Sequence, residues 1–112
     1  MPYIAVHTER SLGAPEKESL KAALGQAITV IPGKKEKGLM VEICDGCDLY
    51  YGGQKCDAAY LDVKIFGTAQ PDDQKAFIEA AFQVMADAGF DKKNVYITFS
   101  GLPHWGVNGT MI

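Results

Sequence analysis

Residues 1–8, Met1-Pro2-Tyr3-Ile4-Ala5-Val6-His7-Thr8, open the chain with a strand, and the pattern returns at residue 60. Tyr3-Ile4-Ala5-Val6-His7 is answered by Tyr60-Leu61-Asp62-Val63-Lys64, an offset of 57 residues (60 − 3). Pro15 and Pro71 follow at an offset of 56 (71 − 15), and Gly38-Leu39-Met40-Val41-Glu42-Ile43 falls opposite Asn94-Val95-Tyr96-Ile97-Thr98-Phe99. Self-similarity at one period marks two copies of one structural unit.

Each copy reads strand, helix, strand. Tyr3 to Thr8 is apolar, with β-branched residues at Ile4 and Val6, which suits a strand. Gly13-Ala14-Pro15 breaks it, and Pro15-Glu16 begins a helix. Leu20, Leu24, Ala27, Ile28 and Ile31 recur at helical spacing until Pro32-Gly33. Leu39 to Ile43 is the second strand, and Asp45 to Lys55, rich in glycine, is a loop or a short irregular strand. Ala58 to Phe66, a helix opened by Pro71-Asp72-Asp73, and Val95 to Phe99 repeat the order. The second helix presents Ile78, Ala81, Phe82 and Met85, with Phe77 alongside.

A β-α-β unit joins parallel strands through a right-handed crossover. Two such units, at about 2–56 and 58–112, predict one α+β domain over residues 1–112. Its expected form is a four-stranded mixed sheet with both helices on one face. Two helices cover only that face. Alternation puts Ile4 and Val6 on one side and Tyr3 and Ala5 on the other, so the uncovered side needs a partner. The apolar end, Trp105 to Ile112, is expected to pack as a short extra strand on another subunit.

Composition narrows the function. With 112 residues, 47% hydrophobic and 22% charged, the chain can bury a core without disulfides. A formal net charge of −3 argues against nucleic acid, which demands a basic surface. No apolar run approaches the roughly 20 residues of a membrane span, and no signal peptide precedes the first strand. Three cysteines, an odd number, suit a reducing compartment. A cytoplasmic protein is expected, with export without a signal peptide as the alternative.

Pro2 carries the chemistry. As a strand opener it costs no ladder hydrogen bond. With Met1 removed it becomes a secondary amine, and a free α-amino group titrates near pH 8. Apolar burial and a neighbouring cation lower that value toward the working pH of a general base.

Pro2 before a strand, the two repeats, Pro32-Gly33-Lys34, Tyr51-Gly52-Gly53 with Cys56, Asn94-Val95-Tyr96-Ile97 and Trp105-Gly106-Val107-Asn108-Gly109-Thr110 occur in this order. Together they resemble the tautomerase superfamily, in its macrophage migration inhibitory factor and D-dopachrome tautomerase group, over essentially the whole chain. The resemblance implies a homotrimer with active sites at subunit boundaries. It also implies a cofactor-independent isomerase, a keto–enol tautomerase of phenylpyruvate-type α-keto acids, with Pro2 as base. Lys34 then matches the lysine that binds the substrate carboxylate, and Tyr96 an aromatic residue contributed by the adjacent subunit. Thr98 stands where the cytokine member has asparagine. Lys64 falls near a position whose backbone N–H contacts substrate, and a gap of one residue puts Ile65 there instead. The alternative implied is a cytokine-like binding protein of the same fold, with a protein receptor as partner.

Other proline-dependent reactions of the superfamily need added acids or an arginine. Glu42 and Asp62 are the acidic candidates, and Arg10 is the sole arginine. Cys44-Asp45-Gly46-Cys47 has CxxC spacing, with Cys56 beyond it. Three cysteines fall short of the four ligands of structural zinc, and His7 and His104 lie in unrelated segments. No metal or cofactor is expected.

Overall fold

The computed structural model describes residues 1–112. Strand β1 (Pro2–Thr8) leads into helix α1 (Ala14–Ala27), and β2 (Met40–Cys44) returns beside β1. A hairpin of β3 (Tyr50–Tyr51) and β4 (Gln54–Lys55) precedes β5 (Ala59–Phe66), helix α2 (Pro71–Asp87) and β6 (Val95–Leu102). A second hairpin, β7 (Gly106–Val107) and β8 (Thr110–Met111), ends the chain.

The main sheet has the order β2-β1-β5-β6. The outer pairs β1·β2 and β5·β6 are parallel, and the central pair β1·β5 is antiparallel. This is the mixed sheet of two β-α-β units. Both helices pack on one face, where Ile4, Val6, Leu61 and Val63 meet Leu24, Phe77, Ala81 and Met85, all fully buried. Removing these side chains from water at about 25 cal/mol per Å² is the main force holding helices to sheet. On β5 the period-two pattern is complete, with alternate residues from Ala59 to Phe66 buried and half-buried.

The local boundaries differ in instructive ways. Ile28 lies in a 3₁₀ turn, Ile28–Val30, and Ile31 follows it, so both reach the core from beyond the α-helix proper. On α2 the centre of the buried stripe is Phe77, Ala81 and Met85, with Ile78 and Phe82 at its margin. Phe77 takes that place by meeting Phe99 edge-on, with centroids 5.9 Å apart. Strand β2 is displaced by one residue from the expected Leu39–Ile43. Strand β6 runs three residues past Phe99, because β5 offers partners as far as Phe66 opposite Leu102. There Gly101 lies so close to the chain that an added Cβ would stand 2.4 Å from the Gly67 carbonyl oxygen. The glycine-rich stretch after β2 holds a true hairpin, its turn made by Gly52 and Gly53, both with positive φ.

Arg10 locks the end of β1 to the end of α2. Its guanidinium pairs with Asp57, donates to the carbonyls of Ala88 (2.9 Å) and Gly89 (3.1 Å), and lies 3.8 Å from the centre of the Phe90 ring. A cation there satisfies carbonyls that a helix C-terminus leaves unpaired. The last turn of α2 has no basic residue of its own. Arg10→Ala is therefore expected to lower stability by about 2–3 kcal/mol, from the helix-end and ring contacts together. A lower urea midpoint at unchanged m-value would register it, and an unchanged midpoint would contradict it.

Candidate functional site

The topology gathers three segments at one end of the sheet. Helix α1 runs back against β1, so the Pro32-Gly33-Lys34 loop returns to the start of β1. Strand β5 is antiparallel to β1, so its last residues arrive at the same place. The ladder pairs Pro2 with Ile65 and Tyr3 with Lys64. Pro2 is buried. The Phe66 N–H donates to the Met1 carbonyl at 3.1 Å, and Lys34 Nζ stands 3.5 Å from the Phe66 carbonyl oxygen.

Electrostatics at this corner favour a neutral amine. Partial burial first, and then the charge and hydrogen bond of Lys34, hold the Met1 α-amino group below its ordinary value of 8.0. Each disfavours the cation over the free base. Lys34 is the member of the lysine cluster that acts on the N-terminus; Lys35 and Lys37 are exposed.

Lys64 points elsewhere. It alternates with buried Val63 and Ile65, so its side chain stands on the face without helices. There it forms an ion pair with Asp62 and lies 5.8 Å from the centre of the Tyr3 ring. The residue directly across from Pro2 is Ile65. The acidic candidates occupy the same open face. Glu42 accepts a 2.5 Å hydrogen bond from the Tyr3 hydroxyl, which pushes the Tyr3 pKa up to about 12. Asp62 holds Lys64. Arg10 lies past the far end of β1, so no arginine stands at the Pro2 corner.

Tyr96 lies toward the opposite end of the sheet from Pro2, and Thr98, in the row of Asp62 and Ala5, lies midway along it. Tyr96 pairs with Tyr60, which pairs with His7. That row is five residues along β1 from Pro2, or about 17 Å at 3.3–3.4 Å per residue. Within one chain the two cannot share a substrate. Tyr96 is 61% exposed, and its ring lies 5.2 Å from that of Tyr51 at the tip of the β3–β4 hairpin. Thr98 bonds Tyr60 through their hydroxyls at 2.6 Å. The exposed apolar side chains Met40, Tyr50, Tyr96 and Met111 belong to sheet edges and hairpins.

Sequence reasoning did not single out Tyr51 as a neighbour of Tyr96, nor the Phe66 carbonyl as a partner of Lys34. The hairpin glycines were the one available signal for the first. The second involves a backbone atom, which sequence does not distinguish. The three cysteines are free thiols, Cys47 Sγ lies 3.2 Å from the Cys44 carbonyl oxygen, and no three metal-ligating side chains converge.

The family model for macrophage migration inhibitory factor matches residues 1–112, the whole chain. The chain belongs to the macrophage migration inhibitory factor family. Its fold is that of MIF2 from Leishmania major, at 25% identity and a TM-score of 0.92, covering 100% of this chain and 97% of that one. It is also similar to a fused 4-OT described as a symmetric trimer, at 21% identity and a TM-score of 0.84, covering 95% and 91%. A third likeness is to a protein crystallised after inactivation by 2-oxo-3-pentynoate, at 18% identity and a TM-score of 0.83, covering 96% and 93%. No curated protein matches the sequence. No helix is long and apolar enough to cross a membrane.

Proposed function

We propose that this family member is a keto–enol tautomerase of small α-keto acids, acting through the amine of Pro2 after removal of Met1. The observation that carries the reading is the corner itself: Pro2 is buried at the end of the chain to which Lys34 returns, and there Lys34 already lowers the affinity of the Met1 α-amino group, one residue ahead, for a proton. In the neutral state the Pro2 amine takes a proton from the carbon next to the substrate carbonyl. The prolinium so formed gives its proton back on the oxygen side, so the enolate becomes the enol, the amine is regenerated, and no cofactor is consumed. Lys34 binds the substrate carboxylate and keeps the resting amine unprotonated.

The enolate oxygen needs a donor that one chain does not supply. Tyr96 is exposed and 17 Å or so along the sheet, so it serves the Pro2 corner of a neighbouring copy, with Thr98 beside it. A ring of three subunits meets that requirement and covers the open sheet face and the hairpins. The symmetric trimer of the fused 4-OT and the inactivation of the other relative by a 2-oxo acid support this assembly and this substrate class. Lys64, on the open face and neutralised by Asp62, is left out of the Pro2 corner of its own chain.

Phenylpyruvate enolisation compared between the mature chain and Pro2→Gly tests the reading. A loss of about a hundredfold or more is expected when the ring that holds the base is removed. Equal rates would remove Pro2 from the mechanism and leave a cytokine-like binding role on the same scaffold.

A further inference from the structure

A cleft of about 330 Å³ opens between the start of α1 and the end of α2. This size lies at the lower end of the range for small-molecule sites, about 300–1,000 Å³. It is remote from Pro2, and a copy covering the open sheet face leaves it accessible. Leu20 and Phe90, both nearly buried, line it together with Ala23 and Val84. Ala23 leaves room where a larger residue would bring the helices into contact.

The charged lining is all negative. Glu16 uses Oε1 to accept from the Gly13 N–H at 3.0 Å, and Asp87 uses Oδ1 to accept from Gln83 at 2.8 Å. One oxygen of each carboxylate is left over, and neither residue belongs to an ion pair. Asp87 is also misplaced for its helix. It ends α2, where the helix dipole already concentrates negative potential, and no basic residue occupies that turn. Arg10, whose charge reaches Glu16, is committed to Asp57 and to the Ala88 and Gly89 carbonyls. Arg10 stacks on Phe90 but is spent on these partners, so the unpaired carboxylate oxygens are left to disfavour an anion, and a neutral molecule gains only the apolar contacts. An organic cation gains both.

We propose that the α1–α2 cleft is a second ligand site, for a small aryl-alkyl ammonium ion. Its ring lies against Leu20, Ala23, Val84 and Phe90, and its ammonium sits between Glu16 and Asp87.

The test is an NMR titration of the full-length assembled protein with phenethylammonium, and with 2-phenylethanol and phenylacetate as neutral and anionic controls. Saturable shifts are expected at Ser19, Ala23, Val84 and Ala88. The ammonium should bind about tenfold more tightly than the alcohol, as two ion pairs to the exposed Glu16 and Asp87 allow. Glu16→Gln with Asp87→Asn should bring the ammonium down to the affinity of the alcohol. Glutamine at residue 16 keeps the bond to Gly13, so the rest of the spectrum should be unchanged. Equal affinities for ammonium and alcohol, shifts centred on Pro2 and Lys34, or no saturation by about 10 mM would each overturn the proposal.

Discussion

A chain with alanine inserted between Met1 and Pro2 is expected to enolise phenylpyruvate about a hundredfold to ten-thousandfold more slowly than the chain that begins at Pro2. That range is the usual contribution of a positioned general base. The mechanism lies in one bond. An acylated proline nitrogen gives its lone pair to amide resonance, so it neither accepts a proton at neutral pH nor adds charge to the corner. The inserted residue would offer its own amine, but about 3.8 Å further along the chain, outside the reach of a proton transfer set up for Pro2. The loss should not reflect unfolding. With Met1 attached, Pro2 still pairs with Ile65, and Met1 itself is bonded to Phe66. Steady-state rates on chains whose N-termini are verified by intact mass check the prediction. Full activity in a chain proven to retain a residue before Pro2 would contradict it.

The second large effect concerns Lys34. Lys34→Ala is expected to lower kcat/KM by about tenfold to a hundredfold, the cost of losing a charge-assisted bond to a carboxylate. Most of it should appear in KM, because the carboxylate is bound in ground state and transition state alike. A second signature separates this from mere loosening of the loop. Lys34 helps hold the Met1 amine below 8.0; on the proposed mechanism the same charge acts on the Pro2 amine once Met1 is gone, so without Lys34 that amine's pKa rises. The base is active only when unprotonated, so the acidic limb of the kcat/KM profile should move to higher pH. Lys34→Arg should restore the position of that limb more fully than it restores KM, since arginine keeps the charge but not the shape. Lys35→Ala should change neither. If Lys35→Ala reproduced the Lys34→Ala profile, the lysine at the site would be the wrong one.

The chain was readable where one rule governed each segment. Two copies of a strand-helix-strand pattern gave four strands, their parallel pairing and the uncovered face, because alternation and helical spacing are local properties. Lys34 was distinguished from Lys35 and Lys37 by resemblance alone, and its approach to the N-terminus needed the return of α1 along β1. Lys64 was ambiguous by one residue. In a strand one residue is a change of face, and only the pairing of Pro2 with Ile65 fixes which side chain points where. Tyr51 beside Tyr96 depends on a hairpin folding over the sheet end, a contact between segments 45 residues apart (96 − 51) that no local pattern encodes. The cleft between the helices was equally hidden. It arises from what small residues such as Ala23 fail to fill.

The central claim is that Pro2 presents a free amine with a depressed pKa. The direct measurement is a pH titration of the Pro2 nitrogen by ¹⁵N NMR, in protein labelled at proline. The account predicts one titrating proline resonance with its midpoint below the ordinary α-amino value near 8. That midpoint should coincide with the acidic limb of the kcat/KM profile and rise in Lys34→Ala. A Pro2 nitrogen that does not titrate, or one that titrates at or above 8, would contradict it.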